Sequence, residues 1–128
     1  MKHLALILSS KMERLELLNT AALRAGFAVN CVDKPFIAQK LVAHYKNDYH
    51  VMFIDEATLG EKCAECIAEI RRVAPKSRVV VMTDTGSKLT IAGENLTLCP
   101  FESAARLFPR LKAEVTRYRT GQVQRSTG

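Results

Sequence analysis

The sequence lacks any apolar run approaching the ~20 residues that a membrane-spanning helix needs. Its opening Met1-Lys2-His3-Leu4 leads into a short apolar stretch, but no small-residue cleavage site follows. No internal repeat and no low-complexity segment interrupts the chain before its last residues. Histidine is sparse, with copies scattered at positions 3, 44 and 50. Cys63-Ala64-Glu65-Cys66 has no second cysteine pair at zinc-binding spacing. These absences lead us to expect a cytoplasmic protein with no membrane contact, no bound metal or other cofactor, and four reduced thiols, Cys31, Cys63, Cys66 and Cys99. Nothing in the sequence marks an enzyme with a substrate of its own.

What is present fits one domain. The 128 residues, 48% hydrophobic and 25% charged, suffice for a single core. The formal charge of +6 invites a nucleic-acid reading, but half of it comes from Arg117, Arg119 and Arg125, in a tail also rich in Gly, Gln, Ser and Thr. Such a tail reads as a solvated linker, so nucleic-acid contact by this domain is not expected. We place the domain at residues 1–119 and a basic polar tail, or a linker cut short, at 120–128.

The chain is organised around residues 50–60. Val51-Met52-Phe53-Ile54 run straight into Asp55, and a short loop then ends on Gly60. A continuous apolar run bounded by turn residues suits a strand buried on both faces. Its terminal acid would stand at the carboxyl edge of the sheet, where open α/β folds place their chemistry. Strands are also expected at 4–8, 27–32, 78–82 and 96–98. Ser10-Lys11-Met12-Glu13 fits a capping box, and Met12, Leu15, Leu18, Ala22 and Ala25 form the apolar face of the helix behind it, which Gly26 ends. Asp33-Lys34-Pro35 opens a second helix striped by Ile37, Leu41 and Tyr45. A third helix carries Cys63, Cys66, Ile67, Ile70 and Val73 on one face and stops before Pro75. The last, from Glu102, presents Leu107, Leu111, Val115 and Tyr118, and either starts near Phe108 or kinks at Pro109. Strands alternating with helices predict a parallel sheet covered on both faces.

One connection breaks the rhythm. Between Thr83 and Cys99 two turn-like clusters, Asp84-Thr85-Gly86-Ser87 and Ala92-Gly93-Glu94-Asn95, flank Leu89-Thr90-Ile91. The β-branched residues and Gly93 are poor helix formers, so the spacing predicts a loop or a single helical turn there.

At these residues the chain resembles the receiver domain of two-component response regulators, a flavodoxin-like, CheY-like, doubly wound five-stranded parallel sheet. The resemblance covers residues 2–118. It implies that Asp55 holds the phosphoacceptor position, that Gly60 ends the following loop, and that Thr83 matches the hydroxyl residue ending the fourth strand. It also implies that Cys99-Pro100-Phe101 stands where the family has Lys-Pro-Phe, with a cis bond before the proline. Lys34-Pro35-Phe36 follows the second strand and is a decoy. Two departures stand out. Ser9 and Ser10 occupy the positions of the paired acids that hold Mg²⁺, and Cys99 replaces the lysine. Serine hydroxyls hold Mg²⁺ poorly. A cation lost at 4 Å removes ~4 kcal/mol of attraction at an effective dielectric of about 20.

The resemblance therefore implies a degenerate receiver that acts without phosphorylation, through a protein partner or as a homodimer, with an output domain possible beyond the tail. A phosphoacceptor Asp55 with atypical Mg²⁺ binding is the alternative, and a thiol sensor through Cys63 and Cys66 is a second. Ser9, Ser10, Thr83, Asp84, Cys99 and Pro100 are the expected pocket lining. Asp84 reads either as a turn residue, the reading we favour, or as a carboxylate recruiting a cation at the pocket mouth. The shortened connection is expected to uncover part of the sheet and the apolar side of the last helix, making Leu107, Leu111 and Val115 the candidate partner contact. Cys63 and Cys66 are expected to pack in the core.

Overall fold

The computed structural model describes residues 3–114. Five parallel strands form one sheet in the order β2-β1-β3-β4-β5, with β1 at His3–Leu8, β2 at Phe27–Val32, β3 at Tyr49–Asp55, β4 at Arg78–Thr83 and β5 at Leu96–Pro100. The helices are α1 (Met12–Arg24), α2 (Pro35–Tyr45), a single turn α3 (Glu56–Leu59), α4 (Cys63–Val73), a second single turn α5 (Phe101–Ala104) and α6 (107–114).

Period-two alternation along the strands sorts the core into two halves. Ile7, Val51, Phe53, Val80 and Met82 pack with Leu15, Leu18 and Ala22 of α1 and Phe108 of α6. Leu6, Leu8, Met52, Ile54 and Val81 pack on the other side with Ala38 and Val42 of α2 and Ile67 and Ile70 of α4. The central strand is buried on both faces, as its unbroken apolar run requires. Gly26 ends α1 with φ of +91°, a conformation that side-chain-bearing residues rarely adopt.

The helical stripes need adjustment. Met12 is 61% exposed, and α2 buries Ala38 and Val42 while Ile37 is 42% exposed. Leu41 and Tyr45 pack at the margin of the core, so the inward face of α2 is rotated about one residue from the expected stripe. The region of Pro109 resolves by division. α5 closes at Ala104, two turn residues follow, and α6 begins at 107. Pro109 then lies in the first turn of α6, where its missing N–H interrupts no helical hydrogen bond. Val115, Tyr118 and the tail lie outside the described residues.

No helix forms between β4 and β5, as the residue types there predict. The expected exposure of the sheet, however, is largely absent. Leu89, Ile91 and Leu96 pack onto the α2/α4 half of the core. Arg71 of α4 donates from Nη2 to the Glu94 carbonyl at 3.1 Å. Its guanidinium lies so close to Gly93 that a Cβ there would come within 2.2 Å of Nη2. Of the apolar side chains on β5, Leu98 remains 38% exposed on this face. Nor does α6 offer its apolar side to solvent. Leu111 is only 8% exposed and Leu107 is half-buried, because both pack onto the α1/α6 half of the core. The contact surface expected from Leu107 and Leu111 is therefore corrected: these residues close the core.

Candidate functional site

Alternation in β1 and β3 sends Ser9 and Asp55 to the face covered by α1. Both are fully buried, at the carboxyl ends of neighbouring strands. Ser9 Oγ donates to Asp55 Oδ2 at 2.7 Å and accepts from the Lys11 amide at 3.1 Å. Asp55 Oδ1 accepts from the Ala57 amide at 3.3 Å, capping the turn α3. It also accepts from Arg14 Nη1 at 3.0 Å. The other arm of the same guanidinium, Nη2, reaches Asp84 Oδ1 at 2.7 Å. Its plane sits over the Phe101 ring, 4.4 Å from the centroid. One arginine thus joins α1, the ends of β3 and β4, and the start of α5.

The electrostatics follow from the geometry. Burial alone would lower the Arg14 pKa, but the Asp84 hydrogen bond and the charges of Asp55 and Asp84 outweigh it and raise the pKa above its ordinary value. The Arg14 hydrogen bond in turn holds the Asp84 carboxyl below its usual range. Arg14 is 14% exposed and Asp55 not at all, so this contact is shielded from water, whereas Asp84 at 39% faces solvent. The aspartate beyond β4 therefore does more than make a turn. It recruits a cation to the pocket mouth, and that cation is a side chain of the same protein.

The remaining expected pocket residues separate. Ser10 is exposed and does not cap α1, whose N-cap is Lys11 without a side-chain hydrogen bond. The Ser10 amide instead donates to Thr58 Oγ1 at 2.8 Å, and the Thr58 hydroxyl donates to Ser10 Oγ at 3.2 Å. The capping-box reading fails because the helix begins after residue 11, one residue too late for that pattern. Thr83 is half-buried at the end of β4, opposite Pro100. Cys99 is buried in the core, its thiol donating to the Pro100 carbonyl at 3.3 Å, and burial pushes its pKa up. It supplies no cation. Among the described residues no peptide bond is cis, so the expected cis Cys99–Pro100 bond is trans. Trans is the ordinary preference of an X–Pro bond, by ~0.5–1 kcal/mol.

Mg²⁺ does not fit this donor set. It requires near-octahedral oxygen ligands, usually with one or two free carboxylates. Both oxygens of Asp55 are engaged, Asp84 is held by Arg14, and the positions after β1 carry Ser9 and Ser10. The C-x-x-C pair offers no second centre. Cys63 is buried with Ile67 and Ile70, and burial, followed by the charge of Glu56, pushes its thiol up to about 11. Cys66 is half-buried beside Gln39.

No family model and no curated protein matches the sequence. Solved structures do. A response regulator from Burkholderia pseudomallei, crystallised with a phosphorylated aspartic acid, a calcium ion and citrate, is similar with a TM-score of 0.67 and 19% identity, over 94% of this chain and 75% of that one. The receiver domain of a Geobacillus stearothermophilus response regulator is similar with a TM-score of 0.68 and 13% identity, over 93% and 99%. A receiver domain protein from Bacillus halodurans gives 0.69 and 11%, over 89% and 97%. With the strand order and the acid at the end of β3, these likenesses establish that the chain has the CheY-like receiver fold of response regulators.

Proposed function

We propose that this protein is a receiver-like signalling module that works through protein contact, without phosphorylation of Asp55, without a bound metal and without an enzymatic activity of its own. The observation that carries the reading is the Arg14 guanidinium held between Asp55 and Asp84 at 3.0 and 2.7 Å. Phosphoryl transfer depends on positioning and on neutralising developing charge. Here the neutralising cation is already bound to the acceptor oxygen itself, and the Cys99 thiol stands in place of the lysine. A phosphoacceptor Asp55 would require Arg14 to leave and a metal to replace it. The thiol-sensor alternative has less support, since the Cys63 thiol is buried and its thiolate disfavoured. Partner contact through the β4–β5 face rests on the exposed Leu98 and the irregular segment beside it. An output domain or a second copy of the chain are the partners this reading accommodates.

Beryllium fluoride with Mg²⁺, a mimic of the aspartyl phosphate, provides the test. Titrated into the full chain and followed by thermal unfolding, the mixture should leave the transition where it was. A saturable rise that requires both components would show a working phosphoacceptor site and overturn the proposal.

A further inference from the structure

A groove of about 560 Å³ lies on the opposite flank of α1 from α6, between α1, the end of β2 and the start of α2. Its apolar walls are Met12, Leu15, Val32 and Ile37, and its charged lining side chains are the carboxylates Glu16 and Asp33. Met12 and Ile37 are among the most exposed large apolar residues described, and Phe36, next to Ile37, is 63% exposed. Lys40 lies over the Phe36 ring, 4.5 Å from its centroid, rather than lining the groove. An acidic, apolar groove on a chain of formal charge +6 calls for an occupant combining apolar anchors with cations.

The chain carries one such segment. Residues 115–128 contain Val115, Tyr118 and Val123 interleaved with Arg117, Arg119 and Arg125, and no acid. They continue from Glu114, which pairs with Arg78 at 3.4 Å and lines a small cavity with Phe27 and His50, at the foot of the sheet where β2 begins. β2 is an outer strand, and the groove lies at its far end. Six strand residues span roughly 20 Å at ~3.3 Å each. The fourteen residues 115–128 can span up to about 46 Å when extended, more than twice that distance. We propose that residues 115–128 dock along this flank, with an apolar side chain between Met12 and Ile37 and arginines facing Glu16 and Asp33.

Cys31 makes this testable, because it lines the groove, is exposed and is a free thiol. Cys66, on the far side of the sheet, serves as the internal reference. Alkylation of the full chain by the uncharged reagent iodoacetamide is followed by peptide mass at both positions. Replacing the tail arginines together, Arg117→Glu, Arg119→Glu and Arg125→Glu, should raise the Cys31 rate about fivefold, as loss of several exposed ion pairs allows, and leave Cys66 unchanged. Glu16→Lys with Asp33→Lys should do the same, and combining both sets should restore protection. Equal Cys31 rates in all chains, or no restoration on combining the sets, would overturn the proposal. Protection that grows with protein concentration would also overturn it, assigning the groove to the tail of a second copy.

Discussion

The pocket at the end of β3 and the connection between β4 and β5 are closed in different ways. The pocket is closed by a charge: Arg14 reaches from α1 to a fully buried Asp55. The connection, which has no helix, is closed by apolar burial without regular structure, through Leu89 and Ile91. The requirements differ accordingly. A buried carboxylate needs a cation or a hydrogen-bond donor at a defined distance. A sheet face needs only apolar area laid upon it, and backbone regularity is dispensable if the loop's polar groups find partners. The pocket should therefore be brittle and the connection tolerant.

The largest break in this contrast is expected from Arg14→Met, which leaves Asp55 buried without its cation. Removing one partner of a buried pair costs ~3–5 kcal/mol, and urea unfolding should show a loss of that order. Arg14→Met combined with Asp55→Asn should recover much of it, because the uncompensated charge is gone. A loss of only a few tenths would mean that Ser9 and the Ala57 amide satisfy Asp55 by themselves. In the connection, Leu89→Ala with Ile91→Ala should cost about 2 kcal/mol, less than full core truncations because both residues are only partly buried.

Much of this architecture was legible beforehand. The apolar run into Asp55, the alternating elements and the poor helix formers at 84–95 each rest on local chemistry, and each led to the observed element. Arg14 was missed because apolar periodicity counts only apolar residues. Its signal was present. Arg14 precedes Leu18 by four positions and Ala21 by seven, which puts a cation on the inward stripe of α1 facing the end of β3. The Ser10 cap misled because a capping box is a purely local pattern, whereas the Ser10 amide is taken by Thr58 and the neighbouring Ser9 hydroxyl by Asp55, both distant in sequence. The exposure of Leu111 was misjudged for a similar reason: an absent helix does not imply an absent cover.

Asp84→Asn sharpens the pocket side of the contrast. Asp84 is more than a third exposed, so its pair with Arg14 contributes about 0.2–1 kcal/mol at neutral pH. The carboxyl's folded pKa is depressed below its ordinary 3.8, so this contribution is present above about pH 4 and is lost as the pH falls through the lower folded value. The stability difference between native chain and variant should shrink with acid over that window. A constant difference would place the effect outside the ion pair. An effect of comparable size is expected from Gly93→Ala. The new methyl meets the flexible end of Arg71, which can swing aside at the loss of its bond to the Glu94 carbonyl, about 0.5–1.5 kcal/mol. A much larger loss would show that the connection is as brittle as the pocket.

The proposal that Arg14 closes the pocket at Asp55 to phosphorylation is checked by intact-mass spectrometry of the full chain after incubation with acetyl phosphate and Mg²⁺. The mass should remain unchanged. A stoichiometric phosphoryl adduct, mapped to Asp55, would contradict it.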